Sequence, residues 1–265
     1  MISGLKKIIK GVVLKSFKTY PAFVVEDLLD RRIGVIVAGK KCFTLHDFGI
    51  ITRSRAKSIE TKEPETIAWL NNFPQGSVLL DVGANVGVFS LYAASLGIRV
   101  IALEPQALNF ACLHLNCVEN GFQELIDIYP VCAGNKLCLS YLNMFGGSTW
   151  GTANSTFDRP IDSHGRERDD FNIRQGSVGI KLDSIVELTQ VFPTHLKIDV
   201  DGNEQLVLEG ARATLSDHRL RSILIELCTD HSEYGSSVEL IESFGFKLIQ
   251  EGVPRKNTYN HIFIR

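Results

Sequence analysis

The chain has 265 residues, 45% of them hydrophobic and 22% charged, which is enough apolar content for a sizeable core and a length ordinary for one α/β domain. Its 28 Lys and Arg against 30 Asp and Glu leave a formal charge of -2, so the basic footprint of a nucleic-acid binder is absent. No run of about 18 apolar residues exists to form a transmembrane helix, and Cys42, Cys112, Cys117, Cys132, Cys138 and Cys228 form no C-x-x-C pair of the zinc-ribbon kind.

The stretch from Met1 to Lys18 interleaves Lys6, Lys7, Lys10, Lys15 and Lys18 with Leu5, Ile8, Ile9, Val12, Val13 and Phe17. Lysines break every apolar run, so no signal-peptide core forms and the pattern predicts an amphipathic helix. Such a helix packs on the domain or on the second subunit of a homodimer, or rests weakly on a membrane surface. Residues 32–37 and 41–45 read as strands around the turn Ala38-Gly39-Lys40. Residues 1–60 are therefore expected to be an extension ahead of a domain at 61–265. Cysteines set within apolar runs suit buried, reduced thiols, and the expected compartment is the cytoplasm.

From residue 77 strands and helices alternate. Residues 77–82 (SVLLDV) are a short apolar run of the kind buried on both faces. Residues 86–96 have helical spacing, 99–103 (RVIAL) are the next strand, 106–120 a helix stopped by Gly121, and 125–132 a third strand. This alternation predicts a parallel sheet with right-handed crossovers. Residues 136–143 read as a strand where a crossover helix is due. Residues 146–176 are a polar loop without periodicity, of a length found in lids and binding loops. A strand follows at 178–182, then a helix opened by Asp183 and running to about Gln190. A strand at 195–200 (HLKIDV), a helix at 203–215, a strand at 220–227 and a helix at 238–244 lead to two closing strands, 246–250 and 260–264, expected to be antiparallel.

The chemistry-bearing residues sit at the strand ends. Asp81-Val82-Gly83-Ala84-Asn85-Val86-Gly87 ends one buried strand and opens a helix. Glycines there let the chain turn tightly and let a ligand approach the backbone, at the carboxyl edge where open α/β sheets bind ligands. Glu104 ends the next strand, 104 − 81 = 23 positions later. An acid at that tip accepts hydrogen bonds from both ribose hydroxyls of an adenosine-containing ligand. A dinucleotide loop needs glycines where this chain has Asn85 and Val88, so the pyrophosphate cradle is missing. Leu196-Lys197-Ile198-Asp199-Val200-Asp201-Gly202-Asn203-Glu204 ends another buried strand. Asp199 would lie beside the glycine loop if the two strands are neighbours, placed for cofactor contact, substrate orientation or proton abstraction. Glu204 suits a first helical turn. Asp199, Asp201 and Glu204 lack the His or further acid of a defined metal site, and no metal is expected.

Together these segments resemble the FkbM family of S-adenosylmethionine-dependent methyltransferases. The resemblance is carried by Lys62-Glu63-Pro64-Glu65-Thr66, by Leu80 to Gly87 with Ala102-Leu103-Glu104-Pro105, by Leu113-His114-Leu115-Asn116, and by Leu196 to Glu204 with Leu208-Glu209-Gly210-Ala211, in order over residues 60–265. It implies an α/β, Rossmann-like class I methyltransferase fold, with a mostly parallel seven-stranded sheet and an antiparallel C-terminal hairpin. It implies S-adenosylmethionine as the cofactor and O-methylation of a small-molecule or glycan acceptor, a sugar or natural-product hydroxyl. Asp81, Gly83, Asn85 and Gly87 would hold the methionine end, Glu104 the ribose, and Asp199 would stand by the transferring methyl. Ala84, Pro105, Cys132, Glu65 and Thr66 complete the expected cofactor-binding set. Ala133-Gly134-Asn135 carries no acid for the adenine amino group, so backbone would meet it.

A sugar hydroxyl is a poor nucleophile until its proton leaves, so a base is useful. Asp199 is the first candidate; His164, His231 and His261 are others. Ser148, Thr149, Trp150, His231 and His261 are the candidate acceptor-binding residues, and Arg159, Arg166, Arg168 and Arg174 would suit an anionic acceptor. Two readings compete: a non-catalytic binding module on the same fold, and, against the missing glycines, an NAD-dependent oxidoreductase.

Overall fold

The apolar runs become strands because only a sheet covered on both faces buries them completely. The structure, a computed structural model, describes residues 31–145, 149–252 and 257–265. The segment from Met1 to Lys18 and Ser148 lie outside the described residues. The described chain opens with a hairpin, β1 (Arg32–Val37) and β2 (Lys40–His46), then α1 (Ile50–Lys62) and α2 (Pro64–Asn71). It continues through β3 (Val78–Val82), α3 (Val88–Ser95), β4 (Arg99–Leu103), α4 (Ala107–Glu119) and β5 (Ile126–Tyr129). Next come β6 (Cys132–Ala133), β7 (Cys138–Met144), β8 (Ser155–Phe157) and β9 (Ile173–Ile180). The chain ends with α5 (Leu182–Thr189), β10 (His195–Ile198), α6 (Glu204–Glu209), α7 (Arg212–Ser216), β11 (Ser222–Cys228), α8 (Tyr234–Ser243), β12 (Lys247–Glu251) and β13 (Thr258–Ile264).

The main sheet has seven strands in the order β12-β13-β11-β10-β3-β4-β5. β11, β10, β3, β4 and β5 are parallel, and β13 runs antiparallel to both β11 and β12. The expected seven-stranded sheet with its reversed last hairpin is therefore present. Side chains alternate across it. Leu79, Val100 and Ala102 pack against α1 to α4 and, through Val35 and Phe43, the hairpin. Leu80, Ile101, Leu196 and Ile198 pack against α5 to α8.

Where structure and expectation differ, local chemistry explains it. The third strand stops at Tyr129 because Pro130, which has no N–H, follows. Cys132 and Ala133 then leave the main sheet and join a second one, ordered β6-β9-β7-β8. The polar stretch 146–176 is only partly loop, since β8 and the first half of β9 lie within it. Backbone pairing with β7, from Cys138↔Gly179 to Met144↔Ile173, makes β9 a strand without apolar alternation. The helix expected at 203–215 breaks at Gly210, whose backbone lies so close to Gly134 that a Cβ would sit 2.0 Å from the Gly134 carbonyl oxygen. Asp183 does not cap α5; its carboxylate accepts from the Ala213 and Thr214 amides and so caps α7. α1 has no strong apolar stripe and buries only Thr52, Ala56 and Ile59, which left it illegible. All six cysteines are free. Among the described residues, no helix is long and apolar enough to cross a membrane.

Candidate functional site

β3 pairs with β4 on one side and β10 on the other, which brings three strand ends together at the carboxyl edge of the sheet. The amides of Gly83 and Ala84 donate to the Leu103 carbonyl at 2.9 and 3.0 Å and tie the glycine turn to the end of β4. Gly83 has φ +86, and a Cβ there would lie 1.9 Å from the Asp199 carbonyl oxygen. Glycine is thus required twice, for the left-handed backbone and for the close approach of two main chains. Asn85 also has positive φ, 53°, and its side-chain amide donates to the Thr152 carbonyl at 2.9 Å. Asn109 donates to the same carbonyl and accepts from the Gly151 amide, so a segment of the long insertion is fastened over the glycine turn.

Glu104 is 5% exposed. Its Oε2 accepts from the Asn85 amide at 2.7 Å and its Oε1 from the Gln106 amide at 2.9 Å. Burial pushes its carboxyl up to about 7, against those amides, Asn109 and Arg55, which favour the ionised form. The carboxylate is fixed in place by backbone, and Glu104 lines the cavity.

A charge cluster lies beneath. Lys197 is the cross-strand partner of Asp81, on the same face of the sheet, and is 2% exposed. Its Nζ lies 3.0 Å from Asp199 Oδ2 and 5.3 Å from the Phe89 ring centre. Burial pushes the ammonium down, but Asp199, Asp81 and Glu63 outweigh it and hold the group above its ordinary range. Burial likewise pushes the Asp199 carboxyl up, yet Lys197, with Lys62 and Arg55, keeps it below the usual carboxylate range. Asp81 is raised by burial despite Lys197 and Ser90. Ser90 Oγ donates to Asp81 Oδ2 at 2.6 Å, while Asp81 Oδ1 is buried without a partner among the described residues. Asp199 is therefore a fixed negative charge rather than a good proton acceptor.

The cavity at this edge brings together Gly83, Asn85, Glu104, Pro105, Cys132 and Asp199. Val131 from the main-sheet side and Leu142 and Phe157 from the second sheet make an apolar slot beside Glu104. Asp81, Ala84 and Gly87 support the turn from below rather than line the cavity. Gly87 opens α3 with φ 87. Glu65 and Thr66 lie on α2, buried, with Asn260 donating to Glu65 Oε1 at 2.8 Å and Thr66 Oγ1 donating to Glu63. They are not among the lining residues.

The residues expected to meet the acceptor lie outside this cavity. Thr149 is exposed, and its carbonyl accepts from the Thr152 amide and hydroxyl. Trp150 stacks on Phe48 with ring centres 4.2 Å apart, a contact that anchors the insertion to the hairpin. His231 lines a separate small cleft with Glu204 and accepts from the Glu233 amide. His261 is fully buried between the Tyr234 hydroxyl and the Tyr259 carbonyl. None of these side chains reaches the cavity. The arginines are engaged as well: Arg159 with Glu233 at 2.8 Å, Arg168 with Asp170, and Arg174 over the Tyr141 ring at 3.9 Å.

Sequence reasoning missed Arg55, Lys62, Asn109, Thr152 and Glu226 in the lining and Lys197 below it. Only Lys197 carried a signal: a residue two before Asp199 at a strand end shares its face.

A family model described as the methyltransferase FkbM domain matches residues 81–248. The chain is 27% identical over 205 residues to the 31-O-demethyl-FK506 methyltransferase FkbM of Streptomyces tacrolimicus, a match covering 68% of this chain and 76% of that protein. It is 26% identical over 200 residues to Methyltransferase 1 of Beauveria bassiana, with the same two coverages. The crystal structure of a methyltransferase FkbM from Methylobacillus flagellatus KT aligns with a TM-score of 0.52 at 17% identity. That match covers 81% of this chain and 53% of the other, so the chain spans about half the length of that structure, and the likeness concerns the fold.

Proposed function

The chain belongs to the FkbM methyltransferase family, and we propose that it methylates a hydroxyl of a sugar, glycan or natural product with S-adenosylmethionine as the donor. One observation carries the reading: Glu104, its carboxylate held by the Asn85 and Gln106 amides, faces the same cavity as ionised Asp199. S-adenosylmethionine supplies a methyl group made electrophilic by a sulfonium. The residues fit it. Glu104 offers fixed acceptors for two ribose hydroxyls. Val131, Cys132, Leu142 and Phe157 form an apolar slot for a base, beside a strand end without a further acid. Asp199 is an ionised carboxylate for the cationic end, with Lys197 and Asp81 behind it. The oxygen as acceptor atom is supported by the Streptomyces relative, whose name specifies a 31-O-demethyl substrate.

Calorimetric titration with S-adenosylmethionine and S-adenosylhomocysteine tests this. Glu104→Ala is expected to lower affinity for both about 100-fold, the loss of two hydrogen bonds to a charged acceptor. Because burial lifts Glu104 to about 7, wild-type affinity should rise severalfold between about pH 6 and pH 8 as the proton leaves, and stay flat in Glu104→Gln. Unchanged affinity in Glu104→Ala, or no binding by the folded wild type, would sink the reading.

A further inference from the structure

Asp201 is a wall of two cavities. One is the cavity of Glu104 and Asp199; the other lies under the long insertion, lined by Phe145, Thr156, Asp162, Ser163, Arg168 and Asp170 among others. We propose that this second cavity binds the acceptor, that the acceptor is a neutral or cationic polyhydroxylated ring, and that Asp201 takes the proton from its reacting hydroxyl. The inference rests on the donor occupying the first cavity.

Position favours Asp201 over Asp199 as the base. Asp201 sits just past β10 in a left-handed turn, φ 57, where the two cavities meet. Its Oδ2 accepts from the Asn154 and Ser155 amides at 2.8 and 3.3 Å, which fixes the carboxylate and leaves Oδ1 to meet a hydroxyl. Asp199 is bound to the Lys197 ammonium and is a weak acceptor of protons. Among the described residues Asp201 makes no such ion pair, and Arg55 acts on it only at longer range. Burial and the neighbouring Asp199 lift it to about 6, close to where a base works best at neutral pH. The groups that face it are Asp199 from its own turn, Glu204 from α6, and Arg55 from α1. Asp162, Arg168 and Asp170 lie across the second cavity.

The lining defines the acceptor's chemistry. Phe145 offers a flat apolar surface, with the Arg168 guanidinium 5.0 Å from its ring centre. Thr156 and Ser163 are polar neighbours. Three carboxylates, Asp162, Asp170 and Asp201, face one guanidinium, and that guanidinium is already bonded to Asp170. The wall therefore repels anions and suits a ring with hydroxyls and an apolar face. In the transfer, the acceptor oxygen forms the bond to the methyl carbon. The methyl–sulfur bond breaks and leaves its electron pair on sulfur. The hydroxyl proton passes to Asp201 and then to water, so the products are a methyl ether, S-adenosylhomocysteine and a proton.

The test uses three methyl glycosides of one hexose: neutral, amino and uronic acid. Transfer from radiolabelled S-adenosylmethionine is measured, with calorimetry of each glycoside against protein loaded with S-adenosylhomocysteine. The neutral or amino glycoside should bind and be methylated, and the uronide should bind at least about tenfold more weakly. Asp201→Asn should keep donor and glycoside affinity within about threefold, lower kcat about 100-fold or more, and remove the acid limb of the pH–rate profile near 6. Phe145→Ala, in a residue that lines only the second cavity, should raise KM roughly tenfold with donor affinity unchanged. Full kcat in Asp201→Asn, preference for the uronide, or neither binding nor transfer with the neutral and amino glycosides by donor-binding protein would overturn the proposal. Failure to bind the donor at all would overturn the family reading first and this one with it.

Discussion

Replacing Lys197 by methionine is expected to cost about 3–5 kcal/mol of folding stability at neutral pH, the largest single-residue effect outside the hydrophobic core. Methionine keeps an unbranched apolar side chain of similar length and removes the ammonium, with its ion pair to Asp199 and its place over the Phe89 ring. The side chain is 2% exposed, so water does not take its place, and Asp199, Asp81 and Glu63 lose the cation that compensates them. At roughly 2–4 °C per kcal/mol for a domain of this size, Tm should fall by about 6–20 °C. The pH dependence separates charge from packing. In the wild type the Asp199 carboxyl is lowered, so its contribution is present above its unfolded value of 3.8 and is lost as pH falls through the folded one. In the variant the same carboxyl is raised, the folded protein holds a proton the unfolded chain has released, and stability falls as pH rises through that window. The deficit should therefore be smaller near pH 5 than near pH 8 in urea unfolding. Equal deficits at both would assign Lys197 a packing role.

The contrast between the two carboxylates past β10 shows where sequence reading stops. The strand ends were legible because buried parallel strands read as short apolar runs, and their last residues must lie at one edge. That placed Gly83, Glu104 and Asp199 correctly, since β3 neighbours β4 and β10. What the runs do not reveal is which charge meets which. Lys197 reads as an interruption of a strand, yet its pairing with Asp81 across the ladder and with Asp199 two residues on decides that Asp199 stays ionised. Asp201, weighed in the sequence only as a metal-site candidate, is not paired with that cation and lines two cavities. The insertion was illegible for another reason. β9 is held by backbone pairing to β7 on a largely exposed sheet, where no core imposes alternation. Phe157, within the insertion, therefore carried no signal as a cavity wall, and Leu142, on a strand that was legible, carried none because the pairing of that strand was not. Histidines misled in the opposite way: His261 is chemically suggestive in sequence and fully buried in the fold.

Gly83→Ala is expected to lower donor affinity about 100-fold or more and to destabilise the fold by roughly 2–4 kcal/mol, while Gly76→Ala costs only about 1–2 kcal/mol and leaves affinity unchanged. Both glycines have left-handed backbones, φ +86 and +80, so the conformational penalty is shared. The difference is space. A Cβ at Gly76 meets nothing within 4 Å, whereas one at Gly83 falls 1.9 Å from the Asp199 carbonyl oxygen. That obstacle is backbone at the end of β10 and has no rotamer to escape into, so the strand ends must part by an ångström or more. The displacement then passes to every group the turn positions. The Gly83 and Ala84 amides leave the Leu103 carbonyl, and the Asn85 amide leaves Glu104. Gly87→Ala should fall between the two, because its Cβ would meet the Leu113 side chain, which can yield partly. Calorimetry with S-adenosylmethionine and denaturant melts on the three variants give the ranking. If Gly83→Ala bound the donor as well as Gly76→Ala, the close approach of the two backbones would not be what shapes the site.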